Sequence, residues 1–201
     1  MTIDPDEARE FEFFQALERE ILEDFSRARL KSFYLEFPGV MCPAVEAIKE
    51  GRWQQEQEHY AAAVVFFVSA IEILLKAVIL RPVVFGLVHN ERLAEAVTQQ
   101  TLREQSLDRY YDLLDALFKQ IAQFDAKSAR REGADRSLRD ETRDLQKIRN
   151  GIVHRGESVR AQEAETARRV AVATFEEIVT RMFSALGLRA REGGRVEMVQ
   201  E

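Results

Sequence analysis

One short segment of the chain combines residue types that could bind an anion and transfer a proton. The segment RNGIVHRG holds Arg149 and His154 with four residues between them, and Asn150 directly follows the arginine. A guanidinium binds phosphate oxygens through a fork of donors, and an imidazole that titrates near neutrality can accept and return a proton. Together they could support attack of a ribose 2′-hydroxyl on the adjacent phosphodiester, a reaction that needs no metal.

The segment is locally cationic although the chain is acidic. The 201 residues carry 29 Lys and Arg against 35 Asp and Glu, a formal charge of −6. Residues 127–160 alone have a balance of +4, which leaves −10 for the rest. The net charge therefore does not exclude RNA, but it favours brief contact at a small cleft over broad binding of the backbone.

The spacing of arginine and histidine is a weak signal by itself, because it recurs. Arg52 and His59 are separated by six residues, but Trp53 follows that arginine and the segment leads into an ordinary helix start. Asn150, the flanking glycines, the expected position at a helix junction and the local charge distinguish the later segment. Nearby acids lie three or four residues from Lys and Arg, a pattern typical of solvated ion-pair faces.

Other site chemistry is missing from the sequence. One cysteine and three well-separated histidines give no disulfide and no zinc-ligand spacing. There is no glycine-rich phosphate loop and no nucleophile elbow, so we expect no metal and no cofactor. The acidic N-terminus does not have the pattern of a signal peptide. We therefore expect a cytoplasmic protein.

A long apolar segment predicts the centre of the fold. A helix is expected from about Trp53 to Leu80, and from Tyr60 onward it is apolar almost all round. It is long enough to span a bilayer, but Glu72 and Lys76 would be costly in hydrocarbon. We expect no membrane association and a buried central helix instead.

The remaining pattern is helical as well, and it predicts an all-α bundle of about five to six helices around the apolar one. Beside the central helix, the periodicity predicts helices over about 6–36, 43–51, 90–103, 106–124, 135–151 and 158–186. No strand pattern is evident. The predicted organisation is an N-terminal helical extension over 1–40, the bundle over 41–187 and a flexible C-terminal tail over 188–201.

These features resemble the HEPN family of helical bundles. The family signature is Arg, four to six residues and then His, often with Asn, Asp or His after the arginine. The resemblance also covers the apolar helix AAAVVFFVSAIEILLKAVIL and the long helix after the motif, so it spans about residues 41–186. Related toxins carry Tyr two residues after the histidine, where this chain has Gly156, which weakens any expectation of a nucleotidyltransferase partner.

The resemblance implies a function and a set of site residues. Active members are metal-independent endoribonucleases that work as dimers or paired domains, among them toxins and phage-defence effectors. Here Arg149 and His154 would be the catalytic pair with Asn150 assisting, and Glu72 would orient Arg149. The cations expected to bind RNA phosphate are Arg143, Lys147 and Arg155. An antitoxin or other regulatory protein is a possible partner.

Helix geometry independently favours a homodimer. Residues five apart on a continuous helix differ by about 140° in direction, so Arg149 and His154 share no face unless Gly151 bends the chain. Two copies related by a two-fold axis could place two arginines and two histidines around a shared cleft. Two alternatives stay open, namely a non-catalytic module that binds a nucleotide or a partner protein, and a structural dimerisation domain.

Overall fold

The computed structural model describes residues 26–87 and 111–200, and these form an all-α bundle, as predicted. Helix α1 covers 26–36, and residue 26 is the first of the described residues. Most of the predicted N-terminal extension and the helix predicted over 90–103 lie outside the described residues. The other helices are α2 (Cys42–Glu56), α3 (Tyr60–Ile73), α4 (Arg81–Leu87), α5 (Tyr111–Ala122), α6 (Leu138–Arg155), α7 (Ala161–Ala173) and α8 (Thr180–Ala185).

Two π-helical segments join four of these helices end to end, so that they form two long continuous helical rods. The first π segment, Leu74–Leu80, joins α3 to α4, and the second, Thr174–Val179, joins α7 to α8. The two segments pack against each other. Such turns widen the helical hydrogen-bond pattern from four residues to five and are uncommon in soluble proteins.

The apolar rod occupies the middle of the bundle. Helix α3 packs against α2, α6 and α7, and residues such as Val64, Phe67 and Ile71 are completely buried. The stretch Tyr60–Phe85 is long and apolar enough to cross a membrane, with a mean hydropathy of 2.5, yet 61% of its most apolar window is buried in the bundle. This burial is that of a core helix, in agreement with the prediction.

A buried tyrosine forms a hydrogen bond to the first π segment. The Tyr34 hydroxyl of α1 donates to the carbonyl oxygen of Val78, in the first π segment, at 2.6 Å. The Tyr34 ring packs edge-on against Phe183 with ring centroids 5.0 Å apart. Burial raises the pKa of the Tyr34 hydroxyl, so this group stays protonated and keeps donating.

The C-terminal residues form a β-hairpin where the sequence predicted a flexible tail and no strands. Strands β1 (Leu188–Ala190) and β2 (Val196–Met198) pair antiparallel, and Leu188 and Val196 are buried. The Val196 amide donates to the carbonyl of Pro38 at 2.7 Å. Strands of three residues are too short to show alternation in a sequence, which explains why the tail prediction was wrong.

The helix that carries the candidate motif is longer than predicted. The sequence suggested that it ends at Arg149–Gly151, but α6 continues to Arg155 and ends at Gly156. Gly151 lies inside the helix without breaking it. The junction therefore follows the motif, over residues 156–160.

Tyr34→Phe should destabilise the fold by about 1–2 kcal/mol, because the change leaves the Val78 carbonyl buried without its donor. Thermal or urea unfolding followed by circular dichroism measures the loss. Tyr60→Phe is the matched control, since within the described residues the Tyr60 hydroxyl has no hydrogen bond. Equal effects of the two changes would contradict the role of the Tyr34 hydrogen bond.

Candidate functional site

A carboxylate on the central helix holds the arginine of the motif. Glu72 Oε1 of α3 accepts from Arg149 Nη2 of α6 at 2.5 Å, and the two side chains are 23% and 28% exposed. The same oxygen accepts from Gln146 Nε2 at 3.0 Å. Hydrogen bonds between ionised groups are among the strongest in proteins. Glu72 and Arg149 are thus in direct contact between α3 and α6, and the orienting role of Glu72 in a site stays a prediction.

The local sequence explains why α6 presents Arg149 to α3. Ser137 Oγ accepts from the Asp140 amide at 3.2 Å and caps the start of the helix. Leu145 is buried, and Ile148 and Ile152 pack partly buried against the core. Arg149 is next to this apolar stripe around the helix, so its guanidinium reaches the boundary between core and solvent.

The histidine of the motif lies on another side of the same helix. Because α6 is continuous through the motif, Arg149 and His154 differ by about 140° around its axis. His154 and Asn150 are one turn apart and exposed. Val153 lies between Arg149 and His154 around the helix, and it is 54% exposed. One copy therefore does not bring Arg149 and His154 onto one face.

A glutamate folds back against the middle of the motif. A Cβ added at Gly151 would overlap Glu157 Oε2, and Glu157 Oε1 accepts from Arg155 Nε at 2.6 Å. The missing side chain at position 151 thus leaves room for a carboxylate beside the helix. The negative charge of Glu157 would repel a phosphate placed beside Gly151.

The three cations predicted to bind RNA phosphate all have carboxylate partners. The N···O distances are 3.8 Å from Arg143 to Asp140, 3.0 Å from Lys147 to Asp144, and 2.6 Å from Arg155 to Glu157. The hydrogen bond from Lys147, and then that from Arg136, lowers the pKa of Asp144. The bond to Glu157 raises the pKa of Arg155. A phosphate would have to displace these partners, and the ion-pair faces predicted for this region are present.

The second arginine–histidine pair does not form a comparable arrangement. His59 is exposed at the start of α3, with Nδ1 3.1 Å from Gln54 Oε1. Arg52 is exposed on α2. Neither side chain is held by a carboxylate in the described part of the chain, in contrast to Arg149.

Two residues of this region, Gln146 and Glu157, were not predicted from the sequence to lie at the site. Gln146 lies one turn before Arg149, and this spacing could have identified it as a neighbour on the same face. Glu157 comes close to Gly151 only because the chain reverses at Gly156, and no periodicity predicts that. Within the described residues, no group of three or more His, Cys, Asp or Glu could hold a metal ion.

Comparisons of the chain with known protein families, with curated proteins and with solved structures found no match.

The turn that ends the motif helix depends on a glycine. Gly156 has φ = +65°, and its amide donates to the carbonyl of Ile152 at 3.0 Å. Gly156→Ala should destabilise the fold by about 1 kcal/mol, because a Cβ disfavours the left-handed conformation. Thermal unfolding checks this.

The matched control for Gly156→Ala is Gly39→Ala. Gly39 lacks a positive φ, and an added Cβ would only make ordinary contact with Cys42 Sγ at 3.6 Å. We expect little change there. A Gly156→Ala protein as stable as the Gly39→Ala protein would show that the left-handed turn is not required.

Proposed function

We propose that the chain is a metal-independent endoribonuclease of the HEPN type that cleaves single-stranded RNA. The site is shared between two copies of a homodimer, and the enzyme acts in the cytoplasm in a toxin or phage-defence role. The observation that carries the proposal is the ion pair between Glu72 and Arg149, which fixes one residue of the signature to the central helix. Ion pairing to a core helix is a specific way to preorganise a phosphate-binding group.

Arg149 binds the scissile phosphate in this proposal. Glu72 and Arg149 are joined through one guanidinium nitrogen, Nη2, and a guanidinium offers five N–H donors. The remaining donors are free to reach the non-bridging oxygens of the phosphate and to stabilise the charge that develops there. The partial exposure of Arg149 gives RNA access to it.

His154 moves the proton. It accepts the proton of the ribose 2′-hydroxyl while that oxygen attacks phosphorus. The bond from phosphorus to the 5′-oxygen of the next nucleotide breaks, and that oxygen leaves with the proton that the imidazole returns. The products are a 2′,3′-cyclic phosphate and a 5′-hydroxyl. Asn150, one turn before His154, assists by hydrogen bonding. An exposed imidazole suits this role because it can contact substrate directly.

Two copies are required because one helix separates the two residues by about 140°. In the dimer, Arg149 of one protomer and His154 of its partner face the same cleft. Val153, which lies exposed between these positions, would be covered by the partner protomer. Burial of this apolar side chain favours association.

Arg149→Ala and His154→Ala should each lower RNA cleavage by about 100-fold or more, the contribution typical of one such group. The measurement uses unstructured RNA in the presence of a chelator, with circular dichroism to confirm the helical content. His59→Ala is the matched control and should cut like wild type. Variants at positions 149 and 154 that cut like wild type would refute the site assignment.

Mixing the two inactive variants tests whether the site is shared. A mixed dimer of Arg149→Ala and His154→Ala subunits contains one intact site if arginine and histidine come from different protomers. Random subunit exchange should therefore restore about one quarter of wild-type cleavage. No recovery from a mixture that has demonstrably exchanged subunits would place both residues of a site in one protomer.

The alternative function is a non-catalytic helical module that binds a nucleotide or a partner protein. The ion pairs that occupy Arg143, Lys147 and Arg155 favour this alternative, since they leave less charge for RNA. If no RNA is cut under any condition while the dimer is intact, this alternative is supported.

A further inference from the structure

A groove that is separate from the proposed nuclease site lies between α2 and the β-hairpin. Its volume is about 420 Å³, which is in the range of small-molecule pockets. Most of its wall is apolar. The apolar lining residues are Met41, Ala44, Val45, Ile48, Leu74, Phe175 and Ala190.

The hairpin wall of the groove is held close to α2. A Cβ at Gly194 would lie 2.8 Å from Val45 Cγ2 and 3.1 Å from the Cys42 nitrogen, so only glycine allows this approach. The hydrogen bond from Val196 to Pro38 fixes the second strand to the same region. The groove is therefore formed before any ligand binds, which lowers the entropic cost of binding.

Both π segments contribute to the inner side of the groove. Leu74 is the first residue of one segment, and Phe175 is the second residue of the other. Leu74 is buried, whereas Phe175, Val45 and Ile48 are only partly buried. These half-covered side chains leave apolar surface that a ligand can remove from water.

Positive charge lies on one rim of the groove. Lys49 and Arg52 are exposed, three residues apart on α2, and both line it. Within the part of the chain that the structure describes, neither has an ion pair or hydrogen bond. On the opposite rim, Arg191 is bound to Glu197 at 2.5 Å, and Glu192 adds a carboxylate. The uncompensated cations are thus on the α2 side.

We propose that this groove binds a single-chain amphiphile with an anionic head, of the class of medium-chain carboxylates. The tail lies along Val45, Ile48 and Phe175, and the head is bound by Lys49 and Arg52. A peptide is less suited to the groove, because its backbone would lose water against a mainly apolar wall. The proposal does not depend on the nuclease activity.

Calorimetric titration with sodium octanoate, below its micelle concentration, tests the site on the full chain. We expect saturable binding at one site per chain. Octan-1-ol has the same tail without the charge, and it should bind about fivefold more weakly, as should octanoate to Arg52→Met. Arg195→Met is the matched control, because Arg195 is exposed on the hairpin but does not line the groove.

A second variant tests whether the apolar wall of the groove binds the tail of the amphiphile. Ala190→Leu puts a larger side chain into the groove and should abolish octanoate binding while circular dichroism remains that of wild type. If Ala190→Leu does not fold, the comparison of octanoate binding by Arg52→Met and Arg195→Met still tests whether the anionic head is bound in the groove. The proposal is overturned if octanoate does not saturate, if octanol binds as tightly, or if those two arginine variants bind alike. A folded Ala190→Leu protein that retains binding overturns it too.

Discussion

The bundle is organised around a single helix that is apolar on nearly every side and carries a carboxylate near its middle. Burying the apolar surface stabilises the fold, but a partly buried Glu72 needs a partner that offsets the loss of water. Arg149 and Gln146 provide it from α6. Together with the apolar stripe of Leu145, Ile148 and Ile152, this pairing fixes the rotation of α6 against α3. The rotation decides which residues of the motif face the core boundary and which face solvent.

Much of this arrangement could be predicted because it depends on long, strongly patterned segments. The apolar run that begins at Tyr60 predicted the central helix, since no surface helix can be apolar all round. The contact between Glu72 and Arg149 was expected from family resemblance, and the ion-pair faces were visible as spacings of three and four. The catalytic roles of Arg149 and His154 stay predictions.

The predictions that were wrong, and the elements that were not predicted, have local causes. Glycine costs about 1 kcal/mol in a helix interior, so Gly151 predicts a helix end. The packing of Ile148 and Ile152 on either side of it against the core outweighs that cost. The hairpin was missed because each strand has three residues. The π segments could not be predicted from an apolar sequence, which gives no signal for a widened turn. The hydroxyl that donates to the Val78 carbonyl belongs to Tyr34, which is far away along the chain.

The hydrogen bond from Val196 to Pro38 also limits the order in which the molecule can be assembled. It joins the second strand of the hairpin to the turn between α1 and α2. During synthesis the N-terminal parts of a chain emerge first and begin to fold first. The hairpin can close against α2 only after its second strand, Val196–Met198, has left the ribosome. A nascent chain therefore lacks one wall of the groove until the helices that precede the hairpin have emerged, so an occupied groove would mark a chain whose bundle has already formed.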